Sequence, residues 1–137
     1  VGGEVSLAAG QDAARLCALN ILAQAKLALG GLDRIVQLLR INGFVSAVPE
    51  FGDHPKVING ASDLLVDILG DKGRHTRIAI GCSSLPLNAA VEIDAVFAEV
   101  NEDLCSGCRM CNELCPYSAI VYDEAKHRSS VISAVCV

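Results

Sequence analysis

The sequence predicts an α/β (α+β) fold in which two helices cover one face of a mixed sheet, followed by a short cysteine-rich hairpin. Three observations support this prediction. Apolar residues recur with a helical period of about 3.6 residues over residues 57–69, and apolar and polar residues alternate as in a strand over residues 89–98. From residue 101 the chain becomes loop-rich, and five of its seven cysteines lie there. We therefore predict two units, residues 1–100 and residues 101–137.

The first helix and strand are predicted from composition and from glycine positions. Residues 1–10 form an opening loop, and residues 11–29 are rich in Ala and Leu, contain no proline and end at Gly30, as suits a helix with a glycine C-cap. The apolar residues of this helix cover more than one narrow stripe, which predicts broad burial against a sheet. Residues 34–48 carry β-branched side chains in partial alternation and predict a strand with a bulge at Gly43.

A second helix and two further strands follow. Asp53 or His54 can cap this helix, and Pro55 suits its first turn. Its apolar stripe consists of Val57, Ile58, Ala61, Leu64, Leu65, Ile68 and Leu69, with Gly70 at its end. Residues 76–83 and 89–98 predict two strands linked by a Leu-Pro turn. One face of the last strand carries Val91, Ile93, Ala95 and Phe97.

The cysteine-rich segment contains the most specific motif in the chain. Its four cysteines, Cys105, Cys108, Cys111 and Cys115, precede a proline in the spacing C-x2-C-x2-C-x3-C-P, which is typical of a 4Fe-4S cluster. Zinc sites usually set two cysteine pairs well apart, and disulfides are disfavoured because nothing suggests secretion. Residues 118–123 and 130–135 predict an antiparallel strand pair that holds the cysteine loop.

Composition and charge restrict the class of partner. The net charge of −5 and the pI of about 5.0 do not favour nucleic acid or an anionic membrane. No apolar run reaches the length of a membrane span, and no signal peptide is recognisable, so we expect a cytoplasmic protein. A local basic cluster contains Lys72, Arg74, His75 and Arg77, and a solvated loop is the simpler interpretation for the first two.

Arg77 and Glu92 are the two charged residues that stand out in the predicted sheet. Each lies in an otherwise apolar strand, and we predict the two strands to be neighbours. Two interpretations remain open at this point: a structural ion pair at a strand edge, or a functional site that requires both charges.

Three segments carry a resemblance to a known family: AARLCALNILAQ (13–24), HPKVINGASDLL (54–65) and RIAIGCSSLPLNAAVEIDAVF (77–97). Residues 1–100 resemble the Rid proteins, the YjgF-like group also called endoribonuclease L-PSP. The resemblance implies a chorismate-mutase-like fold, a homotrimer with clefts between subunits, and hydrolysis of reactive 2-imino or enamine acids to 2-keto acids and ammonia without a cofactor. Arg77 would bind the substrate carboxylate, and Glu92 would position or activate the attacking water.

Two departures from that family affect the expected cleft. The β-hairpin that opens a typical member does not precede Val1, which predicts an uncovered sheet edge and a cleft short of one wall. Many members have a cysteine two residues after the arginine, where this chain has Ala79.

The segment NEDLCSGCRMCNELCPYSAI resembles the 4Fe-4S part of polyferredoxins and of heterodisulfide reductase A subunits. The resemblance implies that the first three cysteines share one cluster and that Cys115 ligates another, with Cys136 as a further possible ligand; the ligand set is then incomplete. Three hypotheses follow. The chain is a Rid-type deaminase with an appended iron–sulfur segment, an electron-transfer module with a redox partner protein and a Rid-like scaffold, or a truncated or fused fragment with neither activity.

Overall fold

The computed structural model describes residues 1–98, 106–108, 120–125 and 128–131. The first of these ranges forms two helices and a three-stranded mixed sheet, which confirms the predicted fold class. The helices are α1 (Leu7–Leu29) and α2 (His54–Leu69), and the strands are β1 (Gln37–Ser46), β2 (Thr76–Cys82) and β3 (Val91–Ala98). β1 is central, parallel to β2 and antiparallel to β3.

Helix α1 is longer and more exposed than predicted. It begins at Leu7 rather than residue 11, because the Ser6 side chain caps it by accepting a hydrogen bond from the backbone N–H of Ala9 at 3.2 Å. Gly30 ends it at φ 82°, as predicted. The prediction of broad burial was wrong, since Leu16 is 61% exposed. The buried residues are Gly10, Ala14, Ala18 and Leu22, a single i, i+4 stripe.

Helix α2 has the predicted apolar stripe. Val57, Ile58, Ala61, Leu64 and Leu65 are buried, whereas Ile68 is 45% exposed. Asp53 stands at the N-cap with Pro55 in the first turn, but the Asp53 carboxylate pairs with Lys56 rather than capping the helix. The two helices approach closely at Gly60, where a Cβ would collide with the carbonyl of Gln11.

The bulge predicted at Gly43 lies elsewhere. The β1–β3 register shifts between Leu38 and Arg40, and the ladder runs regularly through Gly43. Glycine is needed at position 43 for a packing reason, because a Cβ there would lie 2.5 Å from Cδ1 of the buried Ile58.

The last two strands of the sheet are not neighbours. The prediction that β2 and β3 lie side by side was wrong, because β1 runs between them. Side chains alternate across the sheet and define two surfaces. The helix face carries Ile41, Gly43, Val45, Arg77, Ala79, Gly81, Val91, Ile93 and Ala95; the open face carries Arg40, Asn42, Phe44, Ser46, Thr76, Ile78, Ile80, Cys82, Glu92, Asp94 and Val96.

A two-stranded antiparallel hairpin lies in the cysteine-rich part of the chain. Strand β4 (Ile120–Asp123) lies within the predicted residues 118–123 and pairs with β5 (Arg128–Val131), which overlaps the predicted residues 130–135 only at 130 and 131. Cys105, Cys111, Cys115 and Cys136 lie outside the described residues. Neither α1 nor α2, the α-helices of the described ranges, has the combination of length and apolar character needed to cross a membrane.

Candidate functional site

Arg77 and Glu92 are not brought together within one chain. Arg77 lies opposite Ile41 in β1 and Glu92 lies opposite Phe44, so three residues and two strand spacings separate them. This corresponds to about 14 Å between their Cα atoms. They also lie on opposite faces of the sheet, since Ile41 is buried under the helices and Phe44 is on the open face. The hypothesis of an ion pair between them was therefore wrong.

Arg77 instead contacts helix α2. Its Nη1 donates a hydrogen bond to Oγ of Ser62 at 3.0 Å, and Nε2 of His75 lies 3.1 Å from the same oxygen. Nδ1 of His75 lies 2.5 Å from the carbonyl oxygen of Gly73. No carboxylate within the described ranges pairs with Arg77, and its side chain is exposed. The guanidinium thus keeps most of its donors for a ligand.

Ser62 was not identified from the sequence. It occupies a polar position beside the apolar stripe of α2, between Ala61 and Leu65, and such positions are usually solvated. Its contact with Arg77 depends on the packing of α2 against β2. His75 and Arg77 lie two residues apart near the start of β2 and therefore point to the same side. The two-residue spacing of His75 and Arg77 was the feature of the sequence that could have indicated a shared site.

The rest of the basic cluster has separate roles. Arg74 forms an exposed ion pair with Asp71 at 3.2 Å, which is consistent with the predicted solvated loop. Lys72 donates a hydrogen bond to the carbonyl of Ile35 at 3.0 Å and ties this loop to the chain segment before β1. Neither residue directs a charge toward Ser62 in these contacts.

Glu92 lies in an exposed row of the open face, beside Phe44 and Ile80. In the next row, Nδ2 of Asn42 donates a hydrogen bond to Asp94 at 2.7 Å. Large apolar side chains are exposed on the same face, with Ile80 at 47% and Val96 at 49%. This face therefore combines carboxylates with apolar groups that nothing in the described chain covers.

Among the described residues, two of the clefts beside the sheet stand out, and Arg77 lines neither of them. A cleft of about 730 Å³ lies where β1 and β2 end, with Phe51, His54 and Cys82 among its lining residues. A groove of about 540 Å³ runs between α1 and β3, and Glu92 is among its lining residues because β3 is an edge strand, although its side chain alternates onto the open face. The outer edge of β3 beside this groove pairs with no strand in the described chain.

One cysteine of the ferredoxin-type motif lies in a described range. Cys108 is exposed and follows Gly107, whose φ of 70° allows the loop to turn sharply. Four closely spaced thiols are the donor set that a 4Fe-4S cluster requires, and an exposed Cys108 after such a turn fits this use. No cluster of three or more His, Cys, Asp or Glu side chains suited to a metal is found elsewhere in the described ranges.

The other described cysteines are outside this motif. Cys17 lies on α1 with its Sγ 3.7 Å from the carbonyl oxygen of Val91, and burial raises the pKa of this thiol above 9.0, with a smaller contribution from the charge of Glu92. Cys82 lies on the open face at the end of β2. Neither forms a disulfide with a described residue.

Comparison with known proteins yields two separate matches. Residues 1–100 match the family model described as "YjgF/chorismate_mutase-like, putative endoribonuclease", and residues 98–121 match the 4Fe-4S binding domain. The chain is also similar to the A subunit of the H2/formate-dependent CoB-CoM heterodisulfide, ferredoxin reductase of Methanococcus maripaludis, at 35% identity over 68 residues, half of this chain and 10% of that protein.

The proteins that resemble residues 1–100 are closer to this chain in length. The chain is 44% identical over 97 residues to protein TCP17 of Trypanosoma cruzi, covering 70% of this chain and 61% of that protein. A protein of unknown function from Agrobacterium tumefaciens has a solved structure with a TM-score of 0.72 and 53% identity, covering 73% of this chain and 65% of the solved chain. The matches thus span less than two thirds of the length of these relatives. From the fold, the arginine-bearing strand β2 and these similarities together, the chain belongs to the YjgF/chorismate mutase-like family.

Proposed function

We propose that the chain acts as a Rid-type deaminase, which hydrolyses reactive 2-imino and enamine acids to 2-keto acids and ammonia. The observation that carries the proposal is the state of Arg77: an exposed guanidinium, held by a neutral hydroxyl, with no carboxylate partner within the described ranges. A planar fork with unused donors is suited to bidentate binding of a substrate carboxylate. The reaction adds water to the C=N bond, and the tetrahedral product releases ammonia.

The site proposed for this reaction combines two copies of the chain. Arg77 and Glu92 lie on opposite faces of the sheet and about 14 Å apart, so one copy cannot present both to a small substrate. Glu92 of a second copy would hold the attacking water and take its proton. The exposed apolar residues of the open face support assembly through this face, and we propose a homotrimer. A cytoplasmic location is part of the same proposal.

Single substitutions test the roles of the two residues. Purified protein is assayed for ammonia release from 2-aminoacrylate generated in the assay. Arg77→Ala should abolish activity. Arg77→Lys keeps the positive charge but cannot bind a carboxylate through two parallel hydrogen bonds as a guanidinium does. Glu92→Gln should lower kcat by about 100-fold or more. Asp94→Asn, on the same face and strand as Glu92, is the matched control and should retain activity. Full activity in Arg77→Ala would contradict the proposed function.

Mixed oligomers test whether the site spans two copies. Arg77→Ala and Glu92→Gln chains are each inactive alone, but some sites in their mixture contain an intact Arg77 from one chain and an intact Glu92 from the other. Random assembly predicts recovery of about one quarter of wild-type activity. If one chain supplied both residues, every site would carry a substitution and no activity would return. Size-exclusion chromatography with light scattering measures the assembly itself.

An iron–sulfur function is the second candidate, favoured by the match of residues 98–121 to the 4Fe-4S domain. Cys105, Cys108 and Cys111 would hold the cluster, with Cys115 and Cys136 as further thiols. A bound cluster would supply one-electron transfer to a redox partner protein. Anaerobic reconstitution should give brown protein with broad visible absorbance, and Cys108→Ser should reduce the iron content. An iron content near zero would contradict this candidate, and a monomeric, metal-free, inactive protein would support the fragment hypothesis.

The endoribonuclease function named for this family is less well supported by the surface of this chain. Glu92 and Asp94 both stand on the open face, and the net charge is −5. These carboxylates would repel the RNA backbone.

A further inference from the structure

The guanidinium of Arg77 ends a chain of three hydrogen-bonding groups from three parts of the fold. Gly73 belongs to the 3-10 turn Gly70–Gly73, His75 precedes β2, and Ser62 lies in α2. We propose that His75 and Ser62 form a positioning relay, anchored on the Gly73 carbonyl, that holds Arg77 in the orientation needed to bind a carboxylate. The proposal rests on the proposed function, because it takes the carboxylate of the 2-imino acid as the ligand of Arg77.

The hydrogen bonds of the relay have a defined direction. A carbonyl oxygen only accepts, so the 2.5 Å contact with Gly73 requires a proton on Nδ1 of His75. In a neutral imidazole, Nε2 then carries no proton and accepts a hydrogen bond from the Ser62 hydroxyl at 3.1 Å. The oxygen of Ser62 consequently has its lone pairs available for Nη1 of Arg77 at 3.0 Å. Each member therefore orients the next.

The anchor of the relay is rigid. Gly73 is buried, and a Cβ at this position would collide with the backbone carbonyl of Leu65 in α2. Arg74, the next residue, is also held in place, because its backbone carbonyl accepts a hydrogen bond from the side-chain amide of Gln37. The turn is thus fixed against both α2 and the start of β1. His75 is therefore held relative to the two elements that flank Arg77.

The relay reduces the conformational entropy that Arg77 loses when it binds a carboxylate. An exposed arginine has many rotamers, and ordering it on a ligand loses conformational entropy. The hydrogen bond to Ser62 uses one of the five N–H donors and leaves the other four for a carboxylate. Arg77 is thus oriented before the substrate arrives, and its loss of entropy on binding is smaller.

A nucleophilic role for Ser62 is the main alternative. A serine, a histidine and a third group that orients the histidine also form the arrangement of an activated nucleophile. Neither of the two clefts beside the sheet includes Ser62, and its oxygen already accepts a hydrogen bond from a cation, which weakens it as a nucleophile. These two observations favour the positioning role.

The test uses the full chain, the Arg77→Ala variant introduced above and four further variants. Ser62→Ala removes the link to Arg77 and should raise KM about tenfold, and weaken binding of pyruvate by the same factor, with less than about a threefold change in kcat. Ser62→Thr retains the hydroxyl and should restore wild-type values. His75→Phe should have a smaller effect of the same kind, because Ser62 loses its orientation but keeps its oxygen. Asp63→Asn, an exposed neighbour on α2, is the matched control.

The outcomes separate the relay from the proposed function. If Arg77→Ala loses pyruvate binding while Ser62→Ala binds as the wild type does, the relay is wrong and the function stands. If Arg77→Ala itself behaves as wild type, the proposed function is wrong. Two-bond ¹H–¹⁵N spectra give a readout independent of activity, and a His75 tautomer protonated on Nε2 at neutral charge would overturn the relay. Covalent labelling of Ser62 by a fluorophosphonate would also overturn it, in favour of a nucleophile.

Discussion

The two faces of the sheet are made by the same three strands but have opposite environments. On the helix face, Ile41 and Val45 are fully buried under α1 and α2. On the open face, Ile80 and Val96 are about half exposed although the strand pattern and residue types are similar. Burial thus depends on which element covers a strand, not on the strand itself. The proposed catalytic residues follow the same division, with Arg77 on one face and Glu92 on the other.

The largest difference between the faces should appear in stability. Ile41→Ala should lower the free energy of unfolding by about 2–5 kcal/mol, because it leaves a cavity in a packed core. Ile80→Ala should cost less than about 1 kcal/mol, because its side chain is already in contact with water. Urea unfolding at low protein concentration measures both. Equal costs would mean that the open face is covered within a single chain.

Close packing on the helix face gives the second prediction. Gly43→Ala should destabilise the chain by about 1–3 kcal/mol, since the new methyl group would overlap the side chain of the buried Ile58. Gly52→Ala is the control, because no atom lies within 4 Å of the position of its Cβ. The midpoints of thermal unfolding should differ accordingly, and a shift of similar size in both variants would argue against the packing reason.

The Cys17 thiol, which is partly buried between α1 and β3, should react with an alkylating agent more slowly in the folded chain than in the unfolded one. Burial raises the pKa of Cys17, so the thiolate is disfavoured in the folded state, and the alkylation rate should reach its midpoint at a higher pH than in the unfolded chain. Mass spectrometry of the Cys17 peptide after pulses of iodoacetamide at increasing pH gives the midpoint, and the same experiment in urea gives the unfolded reference. A folded midpoint at or below the unfolded one would contradict the effect of burial.

The smallest effect is expected from the polar contacts of the open face. Asn42→Ala removes the hydrogen bond to Asp94 and the one from Nε of Arg40, both exposed. Because water can replace these partners, the free energy of unfolding should fall by less than about 1 kcal/mol. Denaturant titration against the wild type checks this value. A cost above about 2 kcal/mol would show that the open face is dry in solution.

Much of the fold could be predicted from local patterns. The stripe of α2, the alternation of β3 and the glycine cap at Gly30 each depend on residues close in sequence, and each is confirmed. The start of α1 was missed because the Ser6 cap was not recognised, and its burial was misjudged because a helix rich in Ala and Leu has no sharp apolar boundary. The division into residues 1–100 and 101–137 stays a prediction.

The sequence by itself determined the fold class, the family resemblance and the candidate residues, because motif spacing and periodicity are properties of short segments. Only the tertiary structure decided that β1 separates β2 from β3, and that the strand register places Arg77 and Glu92 on opposite faces. The contact of Ser62 with Arg77 likewise depends on how α2 packs beside β2. Strand order and helix packing join residues far apart in sequence, and no local pattern records those pairings.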